Sequence, residues 1–298
     1  MEDASAPERA HETPATAAAR VVLLGDPVAH SLSPAIHNAA FASLGLDVDY
    51  VATRVASEDV PAAVERLRQE SFLGANVTAP HKQAVARLID ARDDDAAVIG
   101  VVNTVTRRGS TLYGANTDAA GLAAALETEL GLTPYGLRIL LLGASGAARA
   151  ALVGLARRAP AGIAVYNRDG ARAIALVEEM RPRFPGVMLR AMDAGAARAE
   201  GGDVDLIVNA TSAGADGLSV PLDGLAPRPG AALLDMIYAQ APTPLMTTLA
   251  AGGTEVADGL EMLLQQAALS FTLWTALTAP LDVMRAAART ARAARTPL

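Results

Sequence analysis

Short apolar runs alternate with amphipathic segments along the chain. The first run, Arg20–Gly25, leads into Gly-Asp-Pro and predicts a strand that ends in a turn. Ser33-Pro34 then begins a helix, because serine is a strong N-cap and proline suits the first helical turn. This helix is expected to end near Leu44, with Gly45 as its stop. Residues 1–19 show no such pattern and are predicted to be a disordered tail.

The alternation continues through the rest of the chain, as is typical of an α/β fold. Before residue 120 it predicts strands at Tyr50–Val55 and Leu73–Val77, helices at Glu58–Gln69 and from Lys82 to about Asp90, and a hairpin of Val101–Thr106 with Thr111–Ala115. Beyond it the pattern predicts a helix at Asp118–Leu130, strands at Arg138–Leu142, Ile163–Tyr166, Val187–Leu189, Leu206–Val208, Ala232–Met236 and Glu255–Ala257, and helix from Leu260 onward. The stretch Gly131–Gly136 is a candidate domain boundary.

Composition excludes several classes of protein. The chain has 298 residues, 51% of them hydrophobic, a formal net charge of −7 and no cysteine. The apolar content excludes a largely disordered chain, and the missing cysteines exclude disulfides and thiolate metal sites. The negative charge argues against nucleic-acid binding. No apolar run reaches the ~20 residues that span a bilayer, and residues 1–20 lack the features of a secretion signal. The expectation is a soluble, cytoplasmic protein.

Lys82 is the only lysine among 25 basic residues. Arginine therefore serves wherever a plain positive charge suffices, and lysine, unlike arginine, can release a proton in a suitable site. Lys82 is either a catalytic candidate or a surface residue that escaped the compositional bias. The histidines show no metal-ligand spacing; His81 is expected to pack beside Lys82, and His30 and His37 to be structural.

A glycine-containing loop follows the predicted strand Arg138–Leu142 and opens a helix. Its sequence, Gly143-Ala144-Ser145-Gly146-Ala147-Ala148, fits the dinucleotide-binding template except that serine replaces the middle glycine. The helix N-terminus would favour a phosphate, and the Ser145 hydroxyl could bond to one. The alternative interpretation is a plain tight turn.

The end of the next predicted strand carries the residues that distinguish the two nicotinamide dinucleotides. Asn167, Arg168 and Arg172 favour the 2′-phosphate of NADP, whereas Asp169 would repel it. The sequence therefore predicts NADP, with NAD as the alternative. Both arginines would otherwise only solvate a helix start.

The chain resembles the shikimate dehydrogenase family (shikimate and quinate dehydrogenases) from about Val22 to Pro280. Six segments carry the resemblance in the family's order: Gly25-Asp26-Pro27 to His30-Ser31-Leu32-Ser33-Pro34, Asn76 to Lys82, Gly100 to Val105, Gly114 to Asp118, the dinucleotide loop with Asn209-Ala210-Thr211-Ser212, and Asp235 to Tyr238 with Gly259 and Met262 to Ala267. The chain departs from the family's pattern at Ser145, Asp169, Ala215 and Glu261.

The resemblance implies two α/β domains with a cleft between them. Residues 20–120 with 260–298 would bind substrate, and residues 121–259 would form a Rossmann-type domain that binds NADP. The implied activity is the reversible reduction of 3-dehydroshikimate to shikimate, a step of aromatic amino acid biosynthesis, with no metal. The protein would be a monomer or homodimer. Quinate or broad-specificity dehydrogenation with NAD, and a non-catalytic module that binds NADP(H), remain the alternatives.

The resemblance also assigns roles to individual residues. Lys82 and Asp118 would be catalytic, since the lysine can protonate the alkoxide and the aspartate can orient it. Ser31 and Ser33 would donate to the substrate carboxylate, although Ser33 is equally explained as an N-cap. The ring hydroxyls would be met by Asn76, Thr78, Asn103, Tyr238 and Gln266. The cofactor would be bound by Gly143, Ala144, Ser145, Gly146, Ala147, Asn167, Arg168, Arg172, Thr211 and Gly259.

Overall fold

The computed structural model describes residues 19–294 and contains two six-stranded sheets. The first sheet consists of β1 (Ala19–Gly25), β2 (Val48–Arg54), β3 (Phe72–Val77), β4 (Ala91–Arg92), β5 (Thr104–Arg108) and β6 (Thr111–Ala115). Their spatial order is β2-β1-β3-β5-β6-β4, with β1 parallel to both of its neighbours and β5 antiparallel to β3 and β6. The predicted tail, residues 1–19, lies outside the described residues except for Ala19, which begins β1.

Helices cover both faces of this sheet, which explains why β1 is an unbroken apolar run. They are α1 (Ser33–Ser43), α2 (Val60–Arg66), which follows a 3-10 turn at Ser57–Asp59, α3 (Lys82–Val85) and α4 (Asp94–Ile99). Successive side chains of a strand point to opposite faces. Val22 and Leu24 accordingly pack into the core under α2, whereas Val21 and Leu23 pack into the core under α1.

The second sheet is parallel throughout. Its strands are β7 (Arg138–Leu142), β8 (Gly162–Tyr166), β9 (Met188–Met192), β10 (Leu206–Asn209), β11 (Ala232–Asp235) and β12 (Glu255–Ala257). The crossover helices are α6 (Gly146–Ala156), α7 (Gly170–Met180), α8 (Ala194–Gly201) and α9 (Pro244–Ala251), with a 3-10 turn at Arg181–Arg183. The order β12-β11-β10-β7-β8-β9 is that of a doubly wound dinucleotide-binding sheet, whose crevice opens between β7 and β10. The predicted pair of α/β domains is thereby confirmed.

Three further helices complete the fold: α5 (Asp118–Leu130), α10 (Leu260–Thr275) and α11 (Leu281–Ala293). A Cβ on Gly121 of α5 would lie 3.0 Å from the backbone nitrogen of Gln266, so glycine permits close packing of α5 on α10. The core of the second sheet includes Ala119 of α5 and Met262 of α10. The predicted domain boundary after residue 120 would fall within α5, which packs on both parts. This boundary stays a prediction.

Several predicted elements end elsewhere because tertiary pairing overrides local propensity. The helix from Lys82 stops at Val85, since the chain turns back to bring the Asp90 backbone N–H to the Leu112 carbonyl at 3.1 Å. The first hairpin strand begins at Thr104 rather than at residue 101. The helix predicted at residues 58–69 is reduced to a 3-10 turn and α2, and the C-terminal helix is interrupted between α10 and α11.

Candidate active site

A first cleft of about 330 Å³ lies where the carboxyl ends of β1 and β3 meet the start of α10. Every residue predicted to be catalytic or to bind substrate lines it: Ser31, Ser33, Asn76, Thr78, Lys82, Asn103, Asp118, Tyr238 and Gln266. Gly259, which the resemblance assigns to the cofactor, also lines this cleft. The structure therefore brings together side chains from segments more than 200 residues apart.

Lys82 and Asp118 form an ion pair in this cleft. The distance from Lys82 Nζ to Asp118 Oδ2 is 2.5 Å, and their side chains are 17% and 9% exposed. Asn103 Nδ2 donates to the other oxygen, Asp118 Oδ1, at 2.8 Å. Both carboxylate oxygens are thus held, and the ammonium group faces the cleft beside them.

Local capping explains why Asp118 is available for this pair. Thr117 is the N-cap of α5, and Asp118 is the first helical residue. The side chain of Asn116 accepts hydrogen bonds from the backbone N–H groups of Asp118 and Ala119 at 3.1 and 3.4 Å. Asn116 therefore satisfies the helix start, and the Asp118 carboxylate points to Lys82 instead of capping α5.

At the start of α1, it is Ser31 and not Ser33 whose side chain hydrogen-bonds to the helix start. Leu32 is the N-cap, and Ser33 is the first helical residue with no side-chain capping bond. The hydroxyl of Ser31 instead accepts the Ser33 backbone N–H at 3.2 Å. The prediction that Ser33 caps the helix is wrong, because the tight turn ahead of α1 brings Ser31 over the free N–H groups.

Three buried polar residues beneath the first cleft were not among the predicted site residues: Thr104, Thr117 and Ser270. Asn76 Nδ2 lies 3.1 Å from Thr104 Oγ1 and 3.2 Å from Ser270 Oγ. Asn103 Nδ2 donates to Thr117 Oγ1 at 2.8 Å. Thr104 and Thr117 belong to segments that carry the family resemblance, whereas Ser270 is signalled only by its position one helical turn after Gln266.

The turn after β11 delivers Met236 and Tyr238 to the first cleft. It is held by Asp235, whose carboxylate accepts hydrogen bonds from Asn209 Nδ2 at 3.0 Å, Thr243 Oγ1 at 2.8 Å and the Ile237 N–H at 3.1 Å. Burial raises the pKa of the Asp235 carboxyl above its usual value. Asp235 is thus a structural anchor that the sequence indicated only as part of a motif.

The histidines differ in their surroundings. His81 is buried, with Nε2 2.7 Å from the Val55 carbonyl oxygen, and His37 is buried among aromatic rings. His30 is exposed and lines the first cleft, so the structural role predicted for it is wrong. The sequence signal was its position next to Ser31 in the turn before α1.

A second cleft of about 820 Å³ lies at the carboxyl ends of β7, β8 and β10. Most residues assigned to the cofactor line it: Gly143, Ala144, Ser145, Ala147, Asn167, Arg168, Arg172 and Thr211. Gly146 begins α6 directly behind this lining. Ala79 lines the second cleft and its neighbour Thr78 lines the first, so the two clefts adjoin at the end of β3.

The loop after β7 passes close to the end of β10 and leads into α6. Gly143 adopts φ +117°, and a Cβ there would lie 3.1 Å from the backbone of Ala210. Ser145 is the N-cap of α6: its hydroxyl lies 3.5 Å from the Ala148 N–H and 3.4 Å from the Ala210 carbonyl oxygen. The serine that replaces glycine therefore caps the helix start. A phosphate contact of its hydroxyl stays a prediction.

At the end of β8, the Asp169 side chain contacts the start of α7. Its carboxylate accepts the Ala171 N–H at 3.2 Å as the N-cap of α7, and Arg172 Nε lies 3.3 Å from Oδ2. Arg168 is exposed at the cleft and forms no ion pair within residues 19–294. At the β8 end of the second cleft, Arg168 and Arg172 thus lie beside one carboxylate, Asp169, which is paired with Arg172. Asp216 also lines this cleft.

The described part of the chain shows no sign of two other classes of site. Between residues 19 and 294, no three His, Cys, Asp or Glu side chains are grouped in a way that could hold a metal ion. Over the same residues, no helix combines the length and apolar character needed to cross a membrane.

Comparison with known proteins gives consistent matches over most of the chain. The family model of the shikimate dehydrogenase substrate binding domain matches residues 23–105, and that of the shikimate 5′-dehydrogenase C-terminal domain matches residues 259–289. A Geobacter metallireducens relative named shikimate dehydrogenase (NADP(+)) is 42% identical over 266 residues, which is 88% of this chain and 93% of the relative.

Solved structures agree with these matches. Shikimate 5-dehydrogenase from Thermus thermophilus, crystallised with NADP(H) and shikimate, has a TM-score of 0.82 at 38% identity and covers 92% of this chain and 99% of its own. The Listeria monocytogenes enzyme, crystallised with shikimate and NAD, has a TM-score of 0.81 at 30% identity, with 90% and 96% covered. At these identities and coverages, the chain belongs to the shikimate dehydrogenase family.

Proposed function

We propose that this chain catalyses the reversible, NADP-dependent reduction of 3-dehydroshikimate to shikimate. The observation that carries the proposal is the Lys82–Asp118 pair, 2.5 Å apart, in a cleft that adjoins a dinucleotide-binding crevice. The similar proteins named above are called shikimate dehydrogenases, and the Thermus structure contains both shikimate and NADP(H).

The first cleft suits a small cyclic acid that carries several hydroxyl groups. The start of α1 presents the hydroxyls of Ser31 and Ser33, and a helix N-terminus favours a carboxylate. Asn76, Thr78, Asn103 and Gln266 provide further amide and hydroxyl partners. Since each unmatched polar group costs binding energy, this lining favours a polyol over an apolar substrate.

In this proposal Lys82 transfers the proton and Asp118 positions Lys82. A bound nicotinamide dinucleotide supplies hydride, which would be added to the C3 carbonyl carbon. The Lys82 ammonium donates a hydrogen bond to the carbonyl oxygen and then transfers its proton to the oxygen as negative charge develops there. Asp118 holds the ammonium group in place, and the 17% exposed lysine regains its proton from water. In the reverse direction, neutral Lys82 removes the proton from the C3 hydroxyl.

The residues of the second cleft fit NADP. Gly143 gives the backbone close access, and the start of α6 offers N–H groups to the pyrophosphate. Arg168 and Arg172 would hold the 2′-phosphate, because guanidinium groups bind phosphate oxygens in pairs. The pairing of Asp169 with Arg172 lessens the repulsion expected from that carboxylate, by little because both side chains are exposed.

Initial rates with shikimate and quinate, each with NADP and with NAD, test the proposal. The highest kcat/KM is expected for shikimate with NADP, and Asp118→Asn should abolish most of it while NADPH binding is retained. A higher kcat/KM for quinate with NAD would show the alternative substrate and cofactor. NADPH binding without turnover of either acid would show a non-catalytic module.

A further inference from the structure

Tyr50 lies directly beneath two of the groups assigned to the substrate, although it does not line the first cleft. It is in β2, and its side chain is 2% exposed. Its phenolic O–H donates to Asn76 Oδ1 at 2.8 Å. Burial raises the pKa of the phenol, and the nearby Ser33 hydroxyl lowers it by a smaller amount. One buried phenol therefore bonds to the proposed ring-hydroxyl site and lies near the proposed carboxylate site.

The bond from Tyr50 fixes which way the Asn76 amide faces. Because Oδ1 accepts from the phenol, Nδ2 is directed to the Asn103 carbonyl at 3.1 Å and to Ser270 Oγ at 3.2 Å. Loss of the phenol would leave a buried carbonyl oxygen without this donor, and a buried unpaired acceptor is costly. The amide would then shift or turn, and its remaining lone pair would no longer be presented to the cleft in one orientation.

The Tyr50 side chain is itself held rigidly. Its ring stacks on His37 with centroids 4.5 Å apart and planes 11° apart. Asn38 of α1 accepts the Tyr50 backbone N–H at 2.8 Å and donates to the Tyr50 carbonyl at 3.0 Å. Burial raises the pKa of the phenol well above its usual value, so it remains a neutral donor. The helix that carries Ser33 is thereby tied to the strand that carries Tyr50.

We propose that Tyr50 is a positioning residue for substrate binding, which acts by holding the Asn76 amide in the orientation that meets the substrate. The inference rests on the proposed function. Tyr50 contacts neither the lysine nor the second cleft, so its effect should fall on substrate binding and not on the chemical step or the cofactor.

Tyr50→Phe keeps the ring stack and both backbone bonds to Asn38 and removes only the hydroxyl. The KM for shikimate is expected to rise about tenfold, as for the loss of one buried hydrogen bond. The kcat and the KM for NADP should stay within about twofold of wild type. The reason is that Tyr50→Phe removes no interaction that is made only in the transition state. Tyr113→Phe is the matched control, because Tyr113 is 38% exposed and its ring contacts Arg108 on the surface.

Two further variants separate positioning from a merely structural role. In the cycle of Tyr50→Phe with Asn76→Ala, the double variant should raise KM by less than the product of the two single effects, because the phenol acts through the Asn76 amide. Asn38→Ala, at an exposed position, loosens Tyr50 without touching the cleft and should also raise the shikimate KM, even if Tyr50→Phe fails to fold.

The shikimate-induced rise in melting temperature measures binding without turnover. It should be smaller for Tyr50→Phe than for wild type. Unchanged shikimate KM in Tyr50→Phe and Asn38→Ala, with only a lower melting temperature, would overturn the inference. Wild-type protein that neither oxidises nor binds shikimate would instead overturn the proposed function, and this inference with it.

Discussion

His37 is expected to make the protein less stable as the pH falls. Its ring is fully buried against Tyr50 and Trp274, with centroid distances of 4.5 and 5.2 Å. Within the described residues, neither ring nitrogen has a hydrogen-bond partner. Burial lowers the pKa of His37 from 6.5 to about 3, because a charged imidazolium would be desolvated there.

The size of the effect follows from these two values. The unfolded chain binds a proton at His37 below pH 6.5, whereas the folded protein binds it only near pH 3. Between these values the unfolded state holds more protons, so the free energy of unfolding falls as the pH falls. At about 1.4 kcal/mol per pH unit, the loss between pH 7.5 and pH 5 is about 2 kcal/mol. Above pH 6.5, the pKa of His37 in the unfolded chain, His37 does not make the free energy of unfolding depend on pH.

Urea unfolding of the wild type and of His37→Leu at pH 7.5, 6 and 5 measures this loss. Leucine is of similar size and cannot titrate, so the difference between the two proteins isolates His37. Burial raises the pKa of the Asp93 and Asp235 carboxyls, but both groups titrate in both proteins and cancel in the difference. An equal loss of stability in the two proteins between pH 7.5 and pH 5 would refute the reasoning.

Three further predictions concern the site. Lys82→Arg should lower kcat about a hundredfold or more and leave NADP binding unchanged, because arginine keeps the charge but does not release a proton near neutral pH; near-normal turnover at pH 7–9 would show that only a positive charge is needed. Arg168→Ala should raise the KM for NADP far more than that for NAD, since only NADP has the 2′-phosphate; equal effects on both cofactors would contradict the assignment. Ser31→Ala should weaken shikimate binding by about 1–3 kcal/mol and also lower stability by about 1 kcal/mol, because Ser31 accepts the Ser33 N–H; shikimate affinity equal to wild type, with only a lower melting temperature, would show that Ser31 is structural.

The elements that local sequence patterns specify strongly were predictable. The apolar run Arg138–Leu142 and the helix Asp118–Leu130 have the predicted bounds, because glycines or polar residues follow each of them. The single lysine and the order of the motifs pointed to Lys82 and Asp118, and the structure places these side chains 2.5 Å apart. The spacing of residues along one strand or helix is a local property, so it can be read from the sequence without knowledge of the tertiary structure.

Only the tertiary structure decided which polar groups pair with one another. The sequence could not reveal that Tyr50 and Ser270, which are far apart in the chain, both hydrogen-bond to Asn76. It also placed the cap of α1 on Ser33, whereas the folded turn uses Ser31. A hydroxyl or amide has several partners of nearly equal energy in an extended chain, and burial leaves it only those that the packed strands and helices bring within about 3 Å.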